Sequence, residues 1–261
     1  MELKVIAYAR NGHTDKFGIP RQSRDESPIL TRIVFEPEYN VAEALRGIEG
    51  YSHLWILWGF SEVQRENVRC TKEWSPTVRP PRLGGNKRMG VFATRSPFRP
   101  NPIGLSSVKL IGVRYSDKST NRHVDISKFN DDADKKEGRM ELLVSGADVL
   151  DGTPIYDIKP YLSFSDSHED AQNGFAEATK EHYLEVRSTK ASLVAEWGVP
   201  EQVAEDILYI LKQDPRPGYQ DDPEREYKMD YAGWRVVFSV DAQSEVLVHR
   251  VSKISQQALF R

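Results

Sequence analysis

The sequence feature that most constrains the fold is a stretch dense in proline and glycine between Pro80 and Ser107. It reads PPRLGGNKRMGVFATRSPFRPNPIGLSS and contains five prolines and four glycines. Proline fixes φ and removes a backbone hydrogen-bond donor, whereas glycine adopts conformations that other residues avoid. Long regular elements are therefore excluded over most of the stretch. The pattern predicts rigid, irregular backbone on either side of one short strand from Met89 to Thr94.

The same stretch is basic in a chain that is slightly acidic overall. Between Trp74 and Tyr115 there are eight Lys or Arg residues and no Asp or Glu, although the formal net charge of the chain is −3. Guanidinium groups on constrained backbone have fixed directions and suit the recognition of carboxylates and phosphates. We therefore expect a site for an anionic ligand, the alternative being a solvated basic face around a tight turn. The basic residues of the stretch are Arg82, Lys87, Arg88, Arg95 and Arg99.

Two common nucleotide-binding motifs do not fit the sequence. Gly85 and Gly90 have the spacing of a phosphate-binding loop, but Val91 and Phe92 stand where that loop needs Lys and Ser or Thr. No G-x-G-x-x-G motif follows a predicted strand, so a dinucleotide-binding Rossmann site is not supported. A nucleotide-like ligand would have to be bound in another way.

The composition is typical of a cytoplasmic globular protein. Hydrophobic residues make up 39% of the 261 residues and charged residues 29%, which is ordinary for a soluble chain. The single cysteine, Cys70, excludes an internal disulfide, and the histidines show no metal-ligand spacing, so no metal site is expected. We expect neither a signal peptide nor a membrane span, because no apolar run has the required layout or length.

Hydrophobic periodicity predicts a β-rich N-terminal part followed by a helical region and a final hairpin. The expected strands are Leu3 to Ala9, Ile29 to Phe35, Tyr51 to Phe60, Ser106 to Tyr115, Met140 to Ser145, Trp234 to Val240 and Glu245 to Val251. The aromatic run from Tyr51 to Phe60 is predicted to be buried on both faces. Helices are expected over Val41 to Ile48, within Glu169 to Trp197, and after Pro200. The charged segment from Ser116 to Arg139 is predicted to be a long exposed loop.

Short polar segments supply further candidate site residues. The loop from Lys16 to Gln22 presents Arg21 and Gln22 on backbone constrained by Gly18 and Pro20, although a plain surface turn explains it equally well. The segment Gln213 to Tyr219, with the sequence QDPRPGY, is a second rigid loop with basic and aromatic residues.

Two more candidates are acidic or titratable. Asp151-Gly152-Thr153-Pro154 is a turn with built-in polar groups, and a second carboxylate, Asp157, follows it beside Tyr156. A plain turn between two strands is the alternative. His53 lies at the entrance to the aromatic strand, where it is either a catalytic group or a hydrogen-bonded core residue.

Taken together, these segments resemble the TsaA-like or TrmO family of tRNA methyltransferases, which act on threonylcarbamoyladenosine. The matching segments are Phe17 to Gln22, Tyr51 to Phe60, Trp74 to Ser106, Asp148 to Leu162 and the QDPRPGY loop. The resemblance implies a small antiparallel β-barrel over residues 1–164 and a smaller α+β domain over 165–261 that recognises tRNA. It also implies S-adenosylmethionine bound at a homodimer interface, and methyl transfer to the exocyclic nitrogen of a modified adenosine beside the anticodon.

The resemblance also implies a set of cofactor-binding residues. They are Pro20, Arg21, Gln22, His53, Arg95, Leu105, Asp151, Gly152, Thr153 and Pro154. Family members often have His after the Phe that ends the aromatic strand, whereas this chain has Ser61 and Glu62, so a backbone contact is expected there. The segment from Ser116 to Arg139 is longer than is usual in the family.

The chemistry of the implied substrate suggests further roles. Its acceptor nitrogen needs a hydrogen-bond acceptor for its proton, and Asp157, Tyr156 or His53 could supply one. Its threonyl carboxylate suits a bidentate arginine, for which Arg82, Arg95 and Arg99 are candidates. Lys87, Arg88, Arg216 and Tyr219 are expected to bind the phosphates and bases of the tRNA anticodon loop. Two alternatives are a non-catalytic RNA-binding β-barrel and a methyltransferase that acts on a small molecule.

Overall fold

A computed structural model of the protein describes residues 2–20, 22–23, 26–60, 74–80, 87–117, 123–125, 138–179, 183–216 and 222–254. The strands are β1 (Ala7–Arg10), β2 (Leu30–Phe35), β3 (His53–Gly59), β4 (Thr77–Val78), β5 (Met89–Gly90), β6 (Ile103–Asp117), β7 (His123–Asp125), β8 (Gly138–Ser145), β9 (Pro154–Pro160), β10 (Glu185–Val186), β11 (Tyr227–Tyr231), β12 (Trp234–Val240) and β13 (Glu245–Lys253). The α-helices are α1 (Ser163–Asp166), α2 (Lys190–Trp197) and α3 (Glu201–Lys212).

The chain divides into two compact units. The first unit comprises Met1–Asn11, Gln22–Trp74 and Pro97–Ser167, and the second comprises Gly12–Arg21, Ser75–Ser96 and His168–Arg261. The proline-rich stretch is thus shared between them, because its first part belongs to the second unit and its last part to the first. None of the helices in the described ranges is long and apolar enough to cross a membrane.

The first unit is built on an antiparallel sheet whose strand order is β3-β9-β1-β2-β8-β6-β7. A further pairing between β3 and β6 makes a ring of six strands, in which each strand pairs with two others. The prediction of a mainly β fold is confirmed. The strands at Ile29 to Phe35 and Met140 to Ser145 are confirmed as β2 and β8, and the first strand begins later than predicted, at Ala7.

The aromatic strand β3 is buried on one face, so the prediction that both faces are buried is wrong. Leu54, Ile56 and Trp58 lie in the core, whereas the alternate residues His53, Trp55 and Leu57 are half-buried. The apolar side chains of the outward face explain the misleading pattern. The Trp55 indole Nε1 donates to Asp166 Oδ2 over 2.8 Å. The indole N–H therefore has a hydrogen-bond partner, which an apolar core would not supply.

Strand β6 is longer than predicted, and its alternation changes phase. Val108 is buried at 0% exposure and Val113 at 4%, although they are five positions apart and strict alternation would place them on opposite faces. The register against β8 shifts between Leu110 and Gly112, which inserts an extra residue and turns Val113 to the core side. The predicted faces, with Val108, Leu110 and Gly112 together, are therefore wrong beyond this irregularity.

The predicted helix from Val41 to Ile48 is replaced by short 3-10 turns at Pro37–Tyr39, Ala42–Leu45 and Ile48–Gly50. Gly47 interrupts the run with a φ of 84°, which an α-helix cannot contain. Of the predicted loop from Ser116 to Arg139, the described ends continue β6 and begin β8, and β7 lies within it. The remainder of that loop lies outside the described residues.

The second unit contains a four-stranded sheet with the order β10-β13-β12-β11, next to helices α2 and α3. The predicted hairpin is confirmed as β12 and β13, and the predicted helix after Pro200 is confirmed as α3. Helix α3 buries Ala204, Ile207, Ile210 and Leu211. The helical pattern predicted over Glu169 to Trp197 is confirmed at its end by α2; before it lie a 3-10 turn at Gly174–Thr179 and β10.

The strand predicted from Met89 to Thr94 is shorter than expected. Strand β5 covers Met89–Gly90 and pairs with β4, and Val91–Ala93 then forms a 3-10 turn. The turn is stabilised because Val91 N donates to Pro76 O over 3.0 Å and Thr94 N donates to Val91 O over 3.1 Å.

Candidate functional site

The turn at residues 151–154 is fixed against the first strand by backbone hydrogen bonds. Gly152 N donates to Ala9 O over 2.9 Å, and Ala9 N donates to Thr153 O over 2.9 Å. Gly152 has a φ of 77°, a conformation that glycine adopts without strain. Thr153 is buried at 2% exposure, so the turn is an integral part of the first unit.

The carboxylate of Asp151 is oriented by the residues that end β1. Asn11 N donates to Asp151 Oδ1 over 3.1 Å, and Arg10 Nη1 lies 3.6 Å from Asp151 Oδ2. The side-chain Nδ2 of Asn11 donates to the backbone oxygen of Val149, just before the turn, over 2.9 Å. Sequence reasoning missed Asn11, whose one local signal is a polar residue directly after an alternating strand.

Leu105 and Asp157 flank the same position of β3, one on the strand to either side of it. In the register of the sheet, Leu57 pairs with Leu105 on β6 and with Asp157 on β9. Leu105 is 53% exposed. Two strand spacings, about 10 Å, therefore separate the backbone of one residue predicted to bind the cofactor from that of one predicted to accept a proton.

The carboxylate of Asp157 has two partners near it. Lys159 Nζ lies 2.9 Å from Asp157 Oδ2, and Ile158 N donates to Asp157 Oδ1 over 2.9 Å. The side chain is 44% exposed, so its oxygens are accessible to a ligand. Tyr156 lies on the adjacent position, with its hydroxyl against Gly59; a Cβ on Gly59 would overlap that hydroxyl.

His53 lies at the far end of β3 from Asp157. Its strand partner is Lys109, four positions from the pairing of Leu57, which corresponds to about 13 Å along the strand. Its Nδ1 is 2.8 Å from Ser52 Oγ, and its ring is 6.2 Å from that of Tyr161 in an edge-on arrangement. His53 and Asp157 therefore cannot act on the same acceptor atom in this arrangement.

A buried hydrogen-bond chain lies beneath the end of β3. Trp58 Nε1 donates to Ser106 Oγ over 2.9 Å, and Ser106 Oγ donates to Asp148 Oδ1. Gly104 allows the Trp58 ring to approach the β6 backbone, since a Cβ there would overlap the indole. These two hydrogen bonds link the aromatic strand to the segment that leads into Asp151, and the sequence pattern did not identify them.

The exposed end of the basic stretch displays an aromatic side chain among cations. Val91 anchors the 3-10 turn at 1% exposure, whereas Phe92 beside it is 73% exposed. Lys87, Arg88 and Arg95 are exposed on the same unit, and Arg88 Nη1 donates to Thr77 Oγ1 over 3.0 Å. Phe92 was not selected as a candidate, although its position between arginines is visible in the sequence. Arg99 is half-buried in the first unit.

Arg216 points inward. Its Nε lies 2.7 Å from Asp214 Oδ1 and its Nη2 lies 2.9 Å from Asp214 Oδ2, and the residue is 8% exposed. This two-point ion pair stabilises the chain after α3, where Asp214 has a φ of 48°. Such burial favours a role in holding this loop over direct phosphate binding.

The remaining predicted site residues are placed as follows. Pro20 is half-buried in the second unit, and Gln22 is exposed in the first. Arg21, Ser61, Glu62, Arg82 and Tyr219 lie outside the described residues. Within the described ranges, no group of three or more His, Cys, Asp or Glu is arranged to hold a metal ion.

Comparison with known proteins assigns both parts of the chain to one family. The model of the tRNA-methyltransferase O N-terminal domain matches residues 8–167, and that of the TrmO C-terminal domain matches residues 184–254. The chain belongs to the tRNA-methyltransferase O family.

Proteins similar in sequence or structure align with 73% to 96% of this chain. A tRNA (adenine(37)-N6)-methyltransferase of Escherichia coli is 38% identical over 92% of this chain and 91% of its own length. One from Eikenella corrodens is 42% identical over 73% of this chain and 92% of its own length. A crystal structure of TrmO from Pseudomonas aeruginosa has 29% sequence identity and a TM-score of 0.67, covering 96% of this chain and 98% of that one.

Proposed function

We propose that this protein transfers a methyl group from S-adenosylmethionine to the N6 atom of adenosine 37 in tRNA. The observation that carries the proposal is the match of both family domains, together with 38% identity to an enzyme named for this activity. Names of relatives from Pseudomonas aeruginosa and Archaeoglobus fulgidus point to S-adenosylmethionine as the cofactor. The proposed substrate is the threonylcarbamoyl-modified adenosine that the family resemblance implies.

The cofactor would be held by the residues predicted from the sequence. They are Pro20, Arg21, Gln22, His53, Ser61, Glu62, Arg95, Leu105, Asp151, Gly152, Thr153 and Pro154. The first unit supports this assignment because the Asp151 carboxylate is fixed and partly exposed, so it can accept hydrogen bonds from ribose hydroxyls or an ammonium group. Leu105 offers exposed apolar surface for the adenine or the methionine chain. S-adenosylmethionine supplies an electrophilic sulfonium methyl group when bound.

Among the three candidates for the proton acceptor, we favour Asp157. Its carboxylate is accessible, it lies two strands from Leu105 with Leu57 of β3 between them, and Lys159 orients it. Tyr156 is adjacent and could orient the acceptor base, whereas His53 is four strand positions away.

The basic stretch would hold the tRNA. Arg99, Arg95 or Arg82 would read the threonyl carboxylate with a guanidinium fork, and Lys87 and Arg88 would bind phosphates. Phe92 would stack on an unpaired base of the anticodon loop, because it is an exposed aromatic side chain on a fixed turn among cations. Arg216 would support the loop that carries Tyr219, which would contribute a further stacking surface.

The finer architecture follows from the same proposal. The six-stranded ring would be the small antiparallel β-barrel of a catalytic domain over residues 1–164, and residues 165–261 would form the tRNA-recognition domain. A homodimer would cover the outward apolar face of the ring, where Leu105 is 53% and Ile111 48% exposed. The protein would act in the cytoplasm.

Methyl transfer from isotopically labelled S-adenosylmethionine into tRNA tests this function. Labelled tRNA is the expected result, with label reduced when Asp151 is replaced by Ala. Binding of tRNA without cofactor binding would instead favour a non-catalytic RNA-binding protein. Binding of the cofactor without tRNA binding would favour a methyltransferase for a small molecule. Light scattering tests the dimer, for which twice the chain mass of 29.8 kDa is expected.

A further inference from the structure

Residues 12–20, here called the N-terminal segment, pack on the C-terminal helix and sheet. Ala232 N, in the turn between β11 and β12, donates to Gly12 O over 2.8 Å. The Phe17 ring lies 6.4 Å from the rings of both Tyr227 and Phe238. The segment is therefore part of the second unit, although it is separated from the rest of that unit by more than fifty residues of sequence.

Two glycines of the segment make close contacts that leave no room for a side chain. A Cβ on Gly12 would lie 2.6 Å from Cζ of Tyr231. A Cβ on Gly18 would lie 2.7 Å from Sδ of Met229 and 3.3 Å from Cγ2 of Ile210. Gly18 also has a φ of 101°, which favours glycine. The backbone of the segment is thus seated directly on side chains of β11 and α3.

The side chain that receives Gly12 is itself fixed. Tyr231 is 3% exposed, its hydroxyl donates to Asp206 Oδ2 over 2.8 Å, and its ring meets the His13 ring at 5.1 Å. Gln202 Nε2 donates to the other Asp206 oxygen over 3.1 Å. Burial raises the pKa of Asp206, and burial with the nearby carboxylate raises the pKa of Tyr231. The hydroxyl therefore stays protonated and continues to donate.

We propose that the C-terminal helix and sheet hold the N-terminal segment in the conformation that presents Pro20 to the cofactor. Gly12, Gly18 and Tyr231 are then positioning residues for S-adenosylmethionine binding, and the C-terminal part of the chain serves cofactor binding as well as tRNA recognition. The inference rests on the proposed function, since Pro20 is one of the proposed cofactor-binding residues. Its physical basis is that a loop already held in one conformation by close contacts loses less conformational entropy on binding a ligand than a mobile loop does.

Calorimetric titration of full-length variants with S-adenosylmethionine tests the inference. Gly18→Ala places a methyl group against Met229, and we expect its Kd for the cofactor to rise at least fivefold. The matched control is Gly198→Ala, because Gly198 lies in the same unit, has a φ of 68°, and has nothing within 4 Å of its Cβ position. We expect the control to bind the cofactor as the unsubstituted protein does. Thermal unfolding and tRNA binding of each variant verify the fold.

A second substitution separates positioning by the C-terminal unit from strain within the segment. Met229→Ala in the Gly18→Ala background removes the atom nearest the new methyl group, and it should restore part of the lost affinity, because the strain at the φ of 101° remains. If Gly18→Ala binds the cofactor like Gly198→Ala, or if Met229→Ala restores nothing, the inference is wrong.

A replacement variant covers the case in which Gly18→Ala does not fold. If Gly18→Ala does not fold, Phe17→Leu replaces it, because that change removes the ring contacts with Tyr227 and Phe238 but keeps an apolar side chain. Unchanged cofactor affinity in Phe17→Leu would overturn the inference, and a fivefold loss would support it. Absence of cofactor binding in the unsubstituted protein would instead refute the proposed function itself.

Discussion

Replacing His13 by Phe should make the free energy of unfolding of this protein fall less when the pH is lowered from 7 to 5. His13 is 2% exposed, and burial lowers its pKa from 6.5 to about 4. In the unfolded chain the imidazole has its ordinary pKa, so between these two values the unfolded state binds a proton that the folded state does not. The folded state is then progressively destabilised as the pH falls from about 6.5 to 4.

The size of this effect follows from the two pKa values. A full separation from 6.5 to about 4, at about 1.4 kcal/mol for each pKa unit, corresponds to about 3 kcal/mol. At pH 5, part way through this range, the contribution is about 2 kcal/mol relative to pH 7. The raised pKa of buried Asp206 acts in the opposite sense, because that carboxyl binds its proton more readily in the folded state.

Denaturant unfolding at pH 7 and pH 5 of the unsubstituted protein and His13→Phe measures the contribution. Asp206 and the Tyr231 hydroxyl that donates to it are present in both proteins, so the difference between their pH responses reports the histidine together with any change that its loss causes in this pair. We expect the free energy of unfolding to fall between pH 7 and pH 5 by about 2 kcal/mol more in the unsubstituted protein than in His13→Phe. If the free energy of unfolding falls equally in the two proteins, His13 has the same pKa in the folded and unfolded states, and burial does not lower it.

Three other predictions concern the proposed reaction. Asp157→Asn should lower kcat by about 100-fold or more with little change in the Kd for the cofactor, measured by single-turnover methyl transfer, and unchanged turnover would remove Asp157 as the proton acceptor. Arg99→Ala should reduce the preference for threonylcarbamoyl-modified over unmodified tRNA by about tenfold or more, whereas retained preference would show that another residue reads the carboxylate. Phe92→Ala should weaken tRNA binding by about 1–3 kcal/mol in a filter-binding assay and Phe92→Tyr should not, because base stacking needs a ring; equal affinities would exclude stacking.

The sequence predicts the elements of this fold well where a single local pattern decides them. The alternation of Leu30–Phe35 corresponds to one buried face, the apolar runs of the β12–β13 hairpin correspond to paired strands, and Pro200 marks the start of α3. It fails where distant residues decide. The apolar run around Trp55 predicts a core position, whereas in the fold Trp55 is half-buried and its indole donates to Asp166, more than one hundred residues away. Val113 changes face because of a register shift against β8, which no pattern within β6 specifies.

The candidate site follows the same division. The polar turn at Asp151 is visible in the sequence, but the residue that orients it, Asn11, is 140 positions away and becomes apparent through its contact with the carboxylate. The clustered arginines predict an anion-binding surface, whereas the inward direction of Arg216 depends on its ion pair with Asp214 in the folded loop. Spacing along the chain predicts which side-chain chemistry is present, and tertiary contacts decide where it points.

Nucleoside mass spectrometry of tRNA detects methylation of adenosine 37 at the modified nucleoside itself. Purified protein, S-adenosylmethionine and tRNA carrying threonylcarbamoyladenosine are incubated, and the anticodon-loop nucleosides are then analysed. We predict a mass increase of one methyl group on the modified adenosine, located by fragmentation on its exocyclic nitrogen. A threonylcarbamoyladenosine that gains no methyl group, or a methyl group on any other nucleoside, would show that the protein does not catalyse this reaction.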